Sequence, residues 1–113
     1  MPVAVKRFYE PAEKADGYRI LVDRLWPRGV KKEAADIDIW LKEVAPSNEL
    51  RKWFHKDTSK WAEFEKKYQA ELKQNPAWPQ LQQLLKEHKK ITLLFSAKDE
   101  ERNHALVLAK LLR

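Results

Sequence analysis

The sequence predicts an α/β fold with a small, mostly parallel sheet of about four strands, flanked by helices and with a helical middle segment. Short runs of apolar and β-branched residues occur near both ends of the chain, and stretches with helical spacing lie between them. Strands that alternate with helices favour parallel pairing, because a crossover helix returns the chain to the same end of the sheet. A length of 113 residues is that of one domain, which we place at 1–113.

Four segments have the pattern of strands. The first is Val3–Phe8, and the second, Tyr18–Asp23, follows a turn signal at Asp16–Gly17. The apolar centre of the second segment is continuous, which indicates a strand buried on both faces. Asp36–Leu41 alternates polar and apolar residues and predicts a short third strand. Ile91–Phe95 is the fourth, and its equally apolar character predicts that it lies beside the second strand.

Four segments have the spacing of helices. Ser47 is a favourable N-cap for the first, and Thr58 is the cap candidate for the second. The last helix runs from about Asp99 to Leu112, with Ser96 or Asp99 as its cap. The apolar faces of the first three helices follow spacings of three and four residues and comprise Leu50, Trp53, Phe54, Trp61, Phe64, Tyr68, Leu72, Trp78, Leu81, Leu84, Leu85 and His88.

The composition excludes several classes of function. The chain has no cysteine, so disulfides, thiol catalysis and thiolate metal sites are excluded. Its two glycines form no phosphate-binding loop of the Walker or dinucleotide type, so no cofactor is predicted. A carboxylate and His104 on the last helix could supply two metal ligands, but no third is visible, so no metal is predicted. No apolar run approaches the ~20 residues of a membrane span, and residues 1–7 lack the apolar region of a secretory signal. We therefore expect a cytoplasmic protein without a membrane partner.

Basic residues are concentrated in the first part of the chain. The net charge is +6, and residues 1–32 hold eight Lys and Arg against four Asp and Glu. Arg24 and Arg28 follow the second predicted strand, and guanidinium groups can hold phosphate or carboxylate through two hydrogen bonds. This pattern predicts an anionic partner, either a phosphate-bearing small molecule or a nucleic acid; a solvated basic loop is the alternative.

Asp23 and Trp26 belong to the same turn as these arginines. An indole ring can stack on a base, although tryptophan is usually largely buried, so packing in the core is the alternative for Trp26. Asp23 either contributes to the ligand site or pairs with a neighbouring residue.

The segment after the fourth strand supplies the second half of the predicted site. Ser96 with Asp99 resembles a capping box, and free N–H groups at a helix start attract an anion, with Lys98 adding a positive charge. A well-capped helix without a ligand is the alternative. His104 lies one turn after Glu100, and such a pair can act as general acid and base or can merely stabilise the helix.

Several short motifs resemble those of a known family. They are Asp23–Gly29 (DRLWPRG), Trp40–Leu41, Ala45–Ser47 (APS), Leu50–Phe54 (LRKWF) and Ala97–Ala105 (AKDEERNHA). Together they resemble the YeaO-like branch of the family called domain of unknown function 488, over essentially the whole chain. The resemblance implies a small cytoplasmic α/β bacterial protein without an established activity, with a site around Arg24, Arg28, Lys98, Asp99 and His104. Broader members carry a Cys-His-Arg motif near the last helix, of which this chain shares only the histidine.

Three functions are open on the sequence. In the first, the protein binds an anionic ligand through the two arginines, Lys98 and the helix terminus. In the second, it is an enzyme in which His104 is the general acid or base, Asp99 or Glu100 orients it, and the arginines hold a phosphorylated or nucleotide-like substrate. In the third, exposed aromatic residues dock a protein partner. The first two require the loops after the second and fourth strands to meet at one sheet edge, where ligands of α/β proteins bind.

Overall fold

The sheet is parallel throughout, and the two most apolar strands lie at its centre. A computed structural model describes residues 3–113. The strands β1 (Val3–Arg7), β2 (Tyr18–Leu21), β3 (Ile39–Trp40) and β4 (Ile91–Phe95) are arranged in the order β1-β4-β2-β3. β4 pairs with both β1 and β2, and β2 also pairs with β3. The predicted α/β class is confirmed, as is the neighbourhood of the second and fourth strands.

The strand ends differ from the predicted ones by a few residues. β1 ends at Arg7 rather than Phe8, and β2 ends at Leu21 rather than Asp23. Single backbone bonds extend both ladders, because the N–H groups of residues 8 and 22 still donate to β4 at 2.7 and 3.1 Å. β3 is shorter than the predicted Asp36–Leu41, since only two residues pair with β2 before the chain turns away.

The middle of the chain is helical, as predicted. The helices are α1 (Asn48–Lys56), α2 (Trp61–Lys73), α3 (Ala77–Glu87) and α4 (His104–Leu112). The Ser47 hydroxyl caps α1 by accepting the N–H of Leu50 at 3.1 Å, which confirms the predicted cap. The prediction of Thr58 as the cap of α2 is wrong. The Asp57 carboxylate instead binds the backbone N–H and hydroxyl of Ser59 in a tight turn, and α2 begins after this turn without a side-chain cap.

The last helix begins five residues later than predicted. α4 begins at His104, and its cap is the Asn103 side chain, which accepts a backbone N–H of the first turn at 3.1 Å. Asp99 satisfies a loop instead, because its Oδ1 accepts the N–H groups of residues 101 and 102 at 2.9 and 3.0 Å. The predicted capping box of Ser96 and Asp99 is therefore wrong, and residues 96–102 form a connecting loop.

The alternating side chains of the central strands divide the core in two. The larger cluster joins the helices to one set of strand residues, which includes Ile20, Ile91, Leu93 and Phe95. Leu21 and Leu94 alternate with these and belong to a smaller cluster with Phe8, against which Trp26, Val30, Ala35, Ile37 and Trp40 pack. The segment between β2 and β3, which contains one turn of 3-10 helix (Lys32–Ala34) but no α-helix, thus covers the smaller cluster. No helix within residues 3–113 has both the length and the apolar character needed to cross a membrane.

Candidate functional site

The carboxyl ends of β2 and β4 are tied together by Asp23 and Ser96. Asp23 Oδ2 accepts two hydrogen bonds from Ser96, from its backbone N at 2.9 Å and from its Oγ at 2.5 Å. Because β2 and β4 are parallel neighbours, both residues leave the sheet at the same edge. The two loops therefore meet, as the apolar character of the two strands predicted.

His104 faces the same edge from the first turn of α4. Its Nε2 lies 2.9 Å from the carbonyl oxygen of Val22 and 3.3 Å from Asp23 Oδ1. A carbonyl oxygen can only accept, so Nε2 carries the proton and Nδ1 of the neutral ring is an acceptor. Within residues 3–113, Nδ1 has no hydrogen-bond partner. The predicted pairing of His104 with Glu100 on one helix is wrong, because Glu100 lies in the loop before α4.

Asp23 is buried and only partly satisfied. The residue is 8% exposed, and its Oδ1 is a buried oxygen without a hydrogen bond, since the Nε2 proton of His104 points to Val22. Burial alone would raise the pKa of Asp23. The neighbouring His104 ring and the two hydrogen bonds from Ser96 outweigh burial and lower the pKa below its ordinary value. A buried negative charge therefore lies beside the imidazole ring.

A cavity of about 450 Å³ opens at this edge of the sheet. Asp23, Ser96 and His104 form part of its lining. Much of the remaining wall is apolar and consists of Trp26, Pro27, Phe54, Trp61 and Phe64. The volume lies within the range of small-molecule sites, roughly 300–1,000 Å³.

Arginine side chains provide most of the charge around the cavity. Arg24, Arg28, Arg51 and Arg102 all line it. The guanidinium of Arg24 donates to two backbone carbonyl oxygens, at 3.2 and 3.4 Å. Within residues 3–113, none of the four forms an ion pair with a carboxylate. The lining thus contains four arginines and one carboxylate residue, Asp23, so it carries an excess of positive charge.

Trp26 lines the cavity but packs as a core residue. Its ring meets Phe8 edge-on with centroids 5.6 Å apart, and Trp40 in the same manner at 5.3 Å. The indole N–H donates to the carbonyl of Val30 at 2.7 Å, and Lys32 Nζ lies 5.8 Å from the ring centroid. These contacts favour core packing over stacking on a nucleic-acid base.

The structure does not bring three of the predicted site residues into the cavity. Lys98, Asp99 and Glu100 are exposed, and none of them lines the cavity. The sequence predicts a helix terminus at these residues, and this prediction is wrong because α4 begins at His104. Asp23, Arg24, Trp26, Arg28, Ser96 and His104 are the predicted residues that do come together.

Sequence reasoning missed several lining residues from α1 and from the loop before α4. Arg51 and His55 are four residues apart on α1, which places them on one helix face, and both reach the cavity. That spacing was visible in the sequence, but the position of α1 against the sheet edge was not. Arg102 was hidden by the misplaced start of α4. No group of three or more His, Asp or Glu residues that could hold a metal ion occurs in residues 3–113.

A family comparison places the chain among known proteins. Residues 2–113 match the family described as "Inactive DUF488-N3 subclade". The chain belongs to this family. The match confirms the resemblance to the domain of unknown function 488.

Full-length relatives carry no functional name. The chain is 50% identical to "Uncharacterized protein YeaO" of Escherichia coli (strain K12) over 113 residues, which cover 100% of this chain and 98% of that protein. It is 42% identical to "Uncharacterized protein Rv3073c" of Mycobacterium tuberculosis (strain ATCC 25618 / H37Rv) over 110 residues, or 97% and 92% of the two chains. The same values hold for "Uncharacterized protein Mb3100c" of Mycobacterium bovis. No solved structure gives a significant match.

Proposed function

We propose that this protein binds a small organic anion in the cavity at the carboxyl edge of its sheet. The observation that carries the proposal is the set of four arginines around a 450 Å³ cavity, none of them paired with a carboxylate in the described part of the chain. Four arginines around a cavity that holds a single carboxylate attract phosphate or carboxylate groups, which guanidinium binds through two parallel hydrogen bonds.

The apolar wall indicates that the anion carries more than its charged group. Phe54, Trp61 and Phe64 form a cluster of rings whose centroids are 4.7 to 5.7 Å apart, and all three line the cavity. Such a wall buries a flat apolar group, and burial of that group adds to the affinity. A mononucleotide or an aromatic phosphate has both features. A small anion suits this concave site better than an extended nucleic acid, which needs a groove that follows its backbone.

The enzyme alternative rests on one observation at His104. The ring has a fixed tautomer and an unpartnered Nδ1, which are the properties of a general base. The Val22 carbonyl would then orient the ring, and Asp23, whose Oδ1 lies 3.3 Å from Nε2, would stabilise the protonated form in place of Asp99 or Glu100. The family's description as an inactive subclade favours binding over turnover. A cytoplasmic location is part of the proposal, supported by the cysteine-free composition.

Isothermal titration calorimetry with four probes tests the binding function. The probes are adenosine 5′-monophosphate, phenyl phosphate, inorganic phosphate and a short single-stranded oligonucleotide. We expect the first two to bind more tightly than inorganic phosphate, because each can bury a ring that inorganic phosphate lacks. Binding should weaken between about 50 mM and about 200 mM salt. Tighter binding of the oligonucleotide would favour a nucleic-acid interface instead.

Arg28→Gln is the variant that links binding to the cavity. Arg28 lines the cavity and is exposed, so its loss should leave the fold intact. Removing one charged hydrogen-bond donor should weaken binding of phenyl phosphate by about tenfold or more. Lys98→Gln is the matched control, because Lys98 carries the same charge on a neighbouring loop outside the cavity. Equal effects of the two variants, or no binding of any probe, would overturn the proposal.

A further inference from the structure

The unpartnered Nδ1 of His104 gives this histidine a second role at the anion site. We propose that His104 is itself an anion ligand, which donates from Nδ1 when the ring is protonated, so that the anion binds together with one proton. This inference rests on the proposed anion-binding function. In this role His104 is one of the residues that hold the anion, and the site favours anions whose oxygen atoms accept a hydrogen bond.

A backbone carbonyl fixes the tautomer of the neutral His104 ring. Nε2 donates to the Val22 carbonyl at 2.9 Å, so the neutral ring presents a lone pair at Nδ1. A lone pair repels the oxygen of a phosphate, sulfate or carboxylate. Protonation places an N–H at the same atom and converts the repulsion into a charge-assisted hydrogen bond. The anion therefore prefers the protonated ring.

Asp23 provides a counter-charge on the Nε2 side of the His104 ring. Its Oδ1 lies 3.3 Å from Nε2, and this oxygen has no hydrogen bond of its own. A positive charge on the imidazole ring is thus offset from behind by a buried carboxylate and from the front by the bound anion. Without the anion, the arginines around the cavity oppose the additional positive charge.

The other groups around His104 do not supply this proton. Tyr68 of α2 packs against the ring with centroids 6.3 Å apart, and its hydroxyl donates to the Val44 carbonyl. Ser96, in the loop after β4, is uncharged and donates to Asp23. Besides Asp23, the charged or titratable residues that share the cavity with His104 are Tyr9, Arg24, Arg28, Arg51, Arg102 and His55. The Tyr9 hydroxyl donates to the Arg28 carbonyl at 3.0 Å. His55 is therefore the other histidine that any proton-uptake experiment must test.

The expected pH dependence follows from the direction of proton uptake. An anion that prefers the protonated ring binds most tightly at low pH, and its affinity falls as pH rises through the range in which histidines titrate, about pH 5 to 8. With one proton taken up per anion, the affinity changes by at most about tenfold per pH unit. Linkage is reciprocal, so a bound anion must also favour protonation of the ring.

Phenyl sulfate is a suitable probe, because it stays singly ionised throughout this pH range. Any proton taken up on binding is therefore bound by the protein and not by the probe. Calorimetric titrations in two buffers with different ionisation enthalpies give the number of protons taken up per anion. We expect uptake approaching one at its maximum for the wild type, none for His104→Gln and full uptake for His55→Gln. His88→Gln is a control, because His88 lies outside the cavity and its ring stacks on Tyr18. Thermal unfolding confirms that each variant is folded.

The outcomes separate this inference from the proposed function. Binding of phenyl sulfate without proton uptake, or loss of uptake in His55→Gln rather than His104→Gln, would overturn the role of His104 and leave the anion site standing. No binding of phenyl sulfate or of the four earlier probes would overturn both. Nitrogen-15 NMR of the histidine rings gives a second measurement that needs no variant. The anion should add a proton at Nδ1 of the ring whose Nε2 is protonated in the free protein.

Discussion

Two buried aspartates stand at opposite ends of β2, and their surroundings differ in kind. Asp16 precedes the strand and is 7% exposed, whereas Asp23 follows it and is 8% exposed. Both carboxylate oxygens of Asp16 have partners. The carboxylate forms ion pairs with Lys6 and Arg19 and accepts the backbone N–H of Glu13 at 3.0 Å. Neither Asp16 nor its cationic partners line the cavity.

Asp23 has a serine and a histidine as neighbours, where Asp16 has a lysine and an arginine. Ser96 occupies one of its oxygens, and the other faces the His104 ring without a hydrogen bond. The adjacent Arg24 does not pair with Asp23, because its guanidinium donates to the backbone carbonyls of Ala45 and Pro46. A satisfied acid stabilises a fold, whereas an unsatisfied acid beside a titratable ring and a cavity can change its interactions when a ligand or a proton arrives.

The largest expected difference between the two sites is in the free energy of unfolding. Asp16→Asn leaves the Arg19 guanidinium, whose side chain is 7% exposed, without its carboxylate. Truncating one partner of a buried ion pair typically costs about 3–5 kcal/mol. Urea denaturation monitored by tryptophan fluorescence measures this loss. Lys14→Gln is the control, because Lys14 is an exposed cation in the same turn and should change stability by less than about 0.5 kcal/mol.

The same substitution at the other end of the strand should cost less. In Asp23→Asn the amide oxygen can still accept from Ser96, and only the unbonded oxygen is replaced by a donor that faces Nε2 of His104. We expect a loss of about 1–2 kcal/mol, from one poorly satisfied buried polar group. Equal losses in Asp16→Asn and Asp23→Asn would break the comparison, since Asp23 would then be as structural as Asp16.

The sequence predicts where the Asp23 site lies better than it predicts which residues form the site. Two continuous apolar strands must be central in a parallel sheet, so their following loops meet, and Asp23, Arg24, Arg28 and Ser96 are found together for that reason. Local capping patterns were less informative, because Asp99 and Asn103 are both good caps and only the folded loop decides between them. Arg51 belongs to the site through the packing of α1, which no local pattern encodes.

The difference in stability between each Asn variant and the wild type should be smallest in acid, because both carboxylates lose their contribution to folding stability there. At Asp16, burial raises the pKa, but the Glu13 N–H, Lys6 and Arg19 outweigh it and lower the pKa below the ordinary value of 3.8; the pKa of Asp23 is also lowered. A lowered folded-state pKa contributes stability above pH 3.8 that is lost as pH falls through the folded value. The melting temperature of each Asn variant should therefore approach that of the wild type below about pH 4.

Adding phenyl sulfate to these melting curves distinguishes the two ends of β2. The anion binds beside Asp23 in our proposal, so Asp23→Asn should change the stabilisation that the anion gives, because it removes the counter-charge behind the His104 ring. Asp16→Asn should keep the full shift in melting temperature, since Asp16 has no contact with the cavity. An equal shift in both variants at every pH would show that the charge of Asp23 has no part in binding, and the resemblance between the two aspartates would then extend to their roles.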